Sequence, residues 1–145
     1  MARQKIIAGN WKMHKTSQEA ESYFQTFLPL LKTDLKSWER KVLFAVPFTA
    51  LRASANAASK RVIIGAQNIH DAERGAFTGE TSAHMVKAEG AHFVLLGHSE
   101  RRKLFGETDA WIARKVQRAL SEKLEIILCV GETQEERDAG HTKSV

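Results

Sequence analysis

The sequence predicts an α/β fold built on one parallel sheet of about five strands, each followed by helix. Three observations carry this reading. Five short runs are apolar almost without interruption, as strands covered on both faces read. Between them lie longer segments with apolar residues at helical spacing and cap signals at their starts. Polar residues collect just after the strands, at Asn10 and Lys12, Gln67 and Asn68, His98 and Glu100, and Glu132. Active sites of parallel α/β folds lie at that carboxyl edge.

The first strand is Lys5–Asn10, β-branched and then interrupted by Gly9. Thr16 and Glu19 form a capping box, in which each side chain satisfies a free N–H of the helix start. The helix behind it sets Ala20, Tyr23, Phe24, Phe27, Leu28 and Leu31 on one face, and Pro29 is expected to end or kink it. Residues 42–46 form the second strand, closed by Pro47, and Thr49 is the expected cap of an alanine-rich helix reaching about Ala58. Val62–Ala66 is the third strand. A polar loop follows through Gly75-Ala76-Phe77-Thr78-Gly79-Glu80. Phe77 at a loop tip reads either as insertion into a partner chain or as a loop folded on its own body.

Thr81 or Ser82 caps the next helix, which Gly90 ends. Residues 93–97 are the fourth strand. A helix over residues 108–123 then turns Trp111, Ile112, Val116, Ala119 and Leu120 inward. Residues 126–130 are the fifth strand, with Cys129 inside it as a small buried hydrophobe rather than a nucleophile. Its outer flank is expected to be a bare apolar edge. Thr133 and Glu136 make a second capping box, and Thr142 begins what reads as a further helix.

Composition narrows the function classes. With 145 residues, 43% hydrophobic and 27% charged, the chain fits one domain with a real core and is not disordered. The single cysteine excludes an internal disulfide and fits a reducing compartment. No apolar stretch reaches membrane-spanning length and no signal-peptide core is present, so a cytoplasmic protein without membrane contact is expected. The net charge of +5 comes from Lys and Arg interleaved with acids, without a zinc-finger spacing or a basic helix. That argues against nucleic acid as a partner and suits a small anionic substrate. No Gly-x-Gly-x-x-Gly follows the first strand and no phosphate-cradling nucleotide loop occurs, which weighs against nucleotide-binding α/β enzymes. His84 and His92 have no third ligand nearby, so no metal site is expected.

The stretch Phe-Val-Leu-Leu-Gly-His-Ser-Glu-Arg-Arg at residues 93–102 is the centre of the pattern. Gly97 permits a sharp turn, and His98 falls at a strand end and at the start of a short helix. The positive end of a helix disfavours a charged imidazole, leaving a neutral donor for an oxygen that gains negative charge. A histidine that merely satisfies a backbone group is the alternative for His98 taken alone.

Ala8-Gly9-Asn10-Trp11-Lys12-Met13, the Gly75–Glu80 loop, Gly97-His98-Ser99-Glu100-Arg101-Arg102 and Cys129-Val130-Gly131-Glu132 together resemble the triosephosphate isomerase family, in its order and at matching strand ends. The resemblance implies a parallel (β/α) TIM barrel, present here as a partial barrel of about five strands in one incomplete domain over residues 1–145. It implies a homodimeric glycolytic enzyme that interconverts dihydroxyacetone phosphate and glyceraldehyde 3-phosphate through an enediolate, without cofactor or metal. On this resemblance His98 is the neutral electrophile that polarises the carbonyl. Lys12 stabilises phosphate and enediolate charge, and Asn10 and Trp11 join it in substrate binding. Glu100 pairs with Lys12 at the edge of the site and shuttles protons. Phe77 and Thr78 lie in the loop that reaches into the other subunit. Each has a plainer alternative: a surface lysine, a strand-end asparagine, a core tryptophan, a glutamate serving the helix dipole.

By the resemblance the base glutamate belongs to a sixth strand, and no sixth strand is legible in the sequence. The lid and phosphate-gripping loops of the later strands are missing likewise. An amino-terminal part of a longer protein, inactive by itself, is therefore the expectation. A non-catalytic half-barrel that serves folding or assembly is the alternative.

Overall fold

The computed structural model describes residues 4–31 and 40–144; the leading Met1–Arg3 and the final Val145 lie outside them. Strands β1 (Lys5–Asn10), β2 (Arg40–Val46), β3 (Val62–Ala66), β4 (Phe93–Leu96) and β5 (Glu125–Leu128) alternate with helices. These are α1 (Ser17–Leu30), α2 (Leu51–Ala57), α3 (Ala83–Ala88), α4 (Ser99–Phe105), α5 (Asp109–Ser121) and α6 (Gln134–Asp138). All strand pairs are parallel and stand in chain order, β1-β2-β3-β4-β5. Winding in one direction puts every crossover on the same side, so the sheet is a partial barrel rather than a doubly wound layer.

The core follows the two-residue alternation of the strands. On the helix side, Val42, Phe44, Val46, Val62, Ile64, Ala66, Val94 and Leu96 pack against Ala20 and Phe24 of α1, Val86 of α3, and Ile112 and Ala119 of α5. On the opposite side Leu43, Ala45, Phe93 and Leu95 form a second cluster with Ile63 and Ile127. Trp11, Tyr23, Phe24, Phe27 and Phe44 contact one another at ring separations of 5.2–5.8 Å, mostly edge to face. Contacts of this kind are worth about 0.5–1.5 kcal/mol each beyond their buried area.

Both capping boxes form, at Thr16 with Glu19 and at Thr133 with Glu136. Helix α1 runs one residue beyond Pro29 before it stops. Ser82, not Thr81, caps α3 by accepting the N–H of Met85.

Other expectations need correction. Thr49 caps nothing: it sits inside a 3-10 turn over Phe48–Ala50, and its carbonyl accepts the Ser17 hydroxyl. Leu120 points outward, because the buried stripe of α5 is Ile112, Lys115 and Ala119. Strand β5 stops at Leu128, although the Cys129 N–H still bonds the Leu96 carbonyl at 2.9 Å. The Cys129 side chain is half-buried rather than enclosed. Residues 142–144 form a turn. Coverage on both faces holds for β2, β3 and β4 but not for the outer strands, where Ile6, Ile7 and Leu128 remain about half exposed. A strand with one neighbour in the sheet has only part of its surface to bury.

Gly65 shows how tightly the inner cluster is filled. A Cβ there would stand 2.5 Å from the ring of Phe93, which is itself buried. Gly65→Ala is expected to destabilise the protein by about 1–3 kcal/mol through overpacking. Urea unfolding checks this, and an unchanged midpoint would mean that Phe93 has room to move aside.

Candidate active site

Three strand ends meet at one rim. The chain leaves β1 at Asn10 and bends so that Lys12 takes a left-handed conformation, φ +51°. The Asn10 carboxamide accepts the Lys12 N–H at 2.9 Å, which fixes the bend. Gln67, just after β3, holds the same loop from across the sheet. Its Nε2 lies 3.1 Å from Asn10 Oδ1, 2.9 Å from the Lys12 carbonyl and 3.2 Å from the Ala45 carbonyl.

Gly97 follows β4 at φ +69°, where a Cβ would meet Arg102, Ile112 and the Cys129 backbone. The turn delivers His98 to the N-cap of α4. There its Nδ1 accepts the Glu100 N–H at 3.2 Å. A nitrogen that accepts a backbone N–H carries no proton, so in neutral imidazole the proton sits on Nε2, which is left free to donate. Glu100 reaches back across the rim, with Oε1 2.7 Å from Lys12 Nζ and Oε2 3.5 Å from His98 Nδ1. The Lys12 ammonium beside it holds the Glu100 carboxyl below its ordinary value, against partial desolvation.

Asn10, Lys12, Gln67, Asn68, His98 and Glu100 thus border one open cleft of about 360 Å³, with Met13, Phe48 and Phe105 at its apolar margin. Among the described residues Glu100 is the only carboxylate in that lining. Trp11 is not part of it: its ring is buried against Tyr23, Phe24 and Phe44, because the bend that lifts Lys12 turns its neighbour into the core. The expectation of substrate contact by Trp11 gives way to packing. Glu132 also points elsewhere and pairs with Arg137 at 2.7 Å.

Phe77 and Thr78 stand apart from the cleft on an exposed loop. The Phe77 ring lies on His70 at 4.2 Å and is still 47% exposed, so the loop is folded partly on itself and partly bare. Its root is fixed to α5: Asp71 accepts from Trp111 Nε1 at 3.1 Å and Arg114 Nε at 2.7 Å.

The sequence reading missed a buried network behind the cleft. Lys115 is fully enclosed, and its Nζ lies 2.5 Å from Glu107 Oε1 and 2.9 Å from Asn68 Oδ1. Arg101 Nε approaches the same Glu107 oxygen at 2.5 Å. Its signal was a lysine at the centre of the apolar stripe of α5, between Ile112 and Ala119.

Burial alone would raise the carboxyl pKa of Glu107, but bonds from Lys115 and Arg101 outweigh it and leave the value below 4.5. Asp71 follows the same balance below 3.8, with Arg114 and Trp111 as the donors. A carboxylate depressed in the folded state adds stability that is complete above its unfolded value and lost as pH falls through the folded one. The Tm is therefore expected to drop as pH falls below about 4.5, the ordinary glutamate value. A Tm constant down to about pH 3 would contradict this.

A parallel partial barrel with convergent polar side chains at its carboxyl rim is the arrangement of the (β/α)-barrel enzymes. The family model described as triosephosphate isomerase matches residues 5–145, and the chain belongs to that family. It is 50% identical over 144 residues to the triosephosphate isomerase of Acaryochloris marina, covering 99% of this chain and 59% of that protein. It is 49% identical over 142 residues to that of Protochlamydia amoebophila, covering 97% and 52%. The crystal structure of triosephosphate isomerase from Bartonella henselae superposes with a TM-score of 0.89 at 36% identity, covering 99% of this chain and 58% of that one. The chain therefore spans between half and three-fifths of the length of these relatives. Among the described residues no helix is long and apolar enough to cross a membrane.

Proposed function

We propose that the protein carrying this chain interconverts dihydroxyacetone phosphate and glyceraldehyde 3-phosphate through an enediolate, and does so in the cytoplasm. The observation that supports this most is the meeting of Lys12, Glu100 and His98 at one cleft, with Nε2 of the imidazole free to donate. Removing a proton next to a carbonyl builds negative charge on the carbonyl oxygen. A neutral N–H aimed at that oxygen stabilises the charge as it forms, and a nearby ammonium adds to the effect. His98 takes the first role and Lys12 the second. Asn10 orients both Lys12 and substrate, and Glu100 holds the ammonium and relays protons. The lone carboxylate among the cleft's described residues is tied to Lys12, and the resemblance gives the proton-abstracting base to a glutamate of a sixth strand. The 145-residue polypeptide alone is accordingly inactive in this reading.

The exposed Phe77 and Thr78 serve a second copy of the chain: the loop reaches the partner's cleft and shields it. Bare Met13 and Phe105 at the cleft margin offer the apolar surface for that contact.

A coupled assay of triose phosphate isomerisation tests the reading on the full-length protein, with sedimentation velocity at low concentration to follow dimers. Turnover, and its loss in Lys12→Ala, is the expected result. A folded full-length protein that leaves triose phosphates unchanged would reject the assignment. Dimers unaffected by Phe77→Ser would reject the role of the loop.

A further inference from the structure

The enclosed ion pair behind the cleft does not account for itself as a stabilising device. Taking two ions out of water costs several kcal/mol each, and well-packed apolar residues often serve stability as well or better. What distinguishes Lys115 and Glu107 is where their bonds end. Lys115 Nζ ties Glu107 on the α4–α5 connection to Asn68 at the end of β3. Glu107 in turn holds Arg101 in the first turn of α4. Asn68 follows Gln67, which fixes the Lys12 loop; Arg101 follows Glu100, which grips the Lys12 ammonium. Asn68 and Arg101 both border the cleft. The indole of Trp111, one turn earlier on α5, lies 4.5 Å from the ammonium and completes its enclosure.

We propose that Lys115 and Glu107 are positioning residues for the isomerase reaction. Acting through Asn68 and Arg101, they lock the β3 terminus that holds Lys12 against the α4 start that carries His98 and Glu100. The proposal rests on the reading of the cleft as an isomerase site. The cleft needs this lock because its two halves come from segments some thirty residues apart in the chain, Gln67 on one side and His98 on the other. Strands β3 and β4 pair only at Gly65–Phe93 and Ala66–Val94, and beyond that pairing the half-exposed Lys12–Glu100 pair, which water screens, also spans the rim among the described residues. Neither Lys115 nor Glu107 lines the cleft. Their effect is on distance: a shift near 1 Å at a catalytic group costs up to about a hundredfold in rate.

The test uses the full-length protein with the double substitution Lys115→Met and Glu107→Leu, which replaces the pair with apolar side chains of similar size. The double variant is expected to unfold cooperatively, with its Tm within about 4 °C of the parent. Its kcat is expected to fall by about tenfold to a hundredfold with KM little changed. Nitrogen NMR of the His98 imidazole supplies a readout that does not depend on activity. In the parent, one unprotonated and one protonated nitrogen are expected. In the variant the two signals should move together, as the Glu100 N–H bond to Nδ1 weakens and tautomers mix.

A folded double variant with parental kcat and parental His98 signals would overturn the proposal. So would altered His98 signals with unchanged kcat, or a loss confined to KM. Should the double variant not fold, Glu107→Gln keeps one accepting oxygen for Lys115 and Arg101, removes the charge, and puts an amide NH2 in place of the other oxygen. A smaller loss of kcat with the same movement of the His98 signals is then expected, and its absence would be equally fatal. If the parent shows no isomerase activity, the assignment of function fails, whereas the His98 signals still report whether the pair orders the cleft.

Discussion

Replacing His98 with glutamine in the full-length protein is expected to lower kcat by about 100- to 1,000-fold while leaving KM nearly unchanged. The size follows from where the imidazole acts. Its Nδ1 is occupied by the Glu100 N–H at 3.2 Å, which fixes both the tautomer and the plane of the ring. In the proposed role the remaining donor, Nε2–H, strengthens only as charge develops on the substrate oxygen, so its loss raises the barrier without weakening the bound ground state. A glutamine amide can still donate, but no backbone N–H orients it in the same way. Steady-state kinetics in both directions decide the matter. A large rise in KM with undiminished kcat would make His98 a binding residue rather than the one that polarises the carbonyl.

Lys115→Met alone is expected to destabilise the full-length protein by about 3–5 kcal/mol. The substitution strands the Glu107 carboxylate in the interior with Arg101 as its remaining cation, and leaves the Asn68 carboxamide without its donor. Urea unfolding measures the loss. Addition of Glu107→Leu should restore most of it, because the isolated buried charge is then gone. A single variant less than about 1 kcal/mol below the parent would show that Arg101 neutralises Glu107 unaided.

The legible parts of this molecule were those that depend on neighbours in the chain. Residues 42–46 and 93–97 read as strands, and β2 and β4, the latter ending at Leu96, are covered on both faces, which leaves no polar residue in the run. The capping boxes are complete within four residues. Gly97 and His98 mark a strand-to-helix turn by their types alone. What the sequence hides depends on distance. Gln67 meets Lys12 across 55 positions, and Lys115 meets Asn68 across 47, so no local pattern announces either bond. A lysine in a helix reads as solvent-facing unless its place in the apolar stripe is given weight. The direction of Trp11 was hidden because it follows the strand, where alternation no longer applies. Helical spacing sets Leu120 inward, but the buried stripe has already turned past it. The position and exposure of Phe77 were anticipated, since a bulky ring among glycines is out of place at a loop tip.

The left-handed backbone of Lys12 has a consequence of its own. A residue with a side chain sits there at a cost of about 1–3 kcal/mol, held by the carboxamides of Asn10 and Gln67. The bend behaves as a cocked latch: with Gln67→Leu it would spring toward a relaxed shape and carry the ammonium away from its target. In a turnover assay such a variant would mimic the missing amine although Lys12 remains chemically intact. The placement of a cation can thus be lost through a residue that bears no charge.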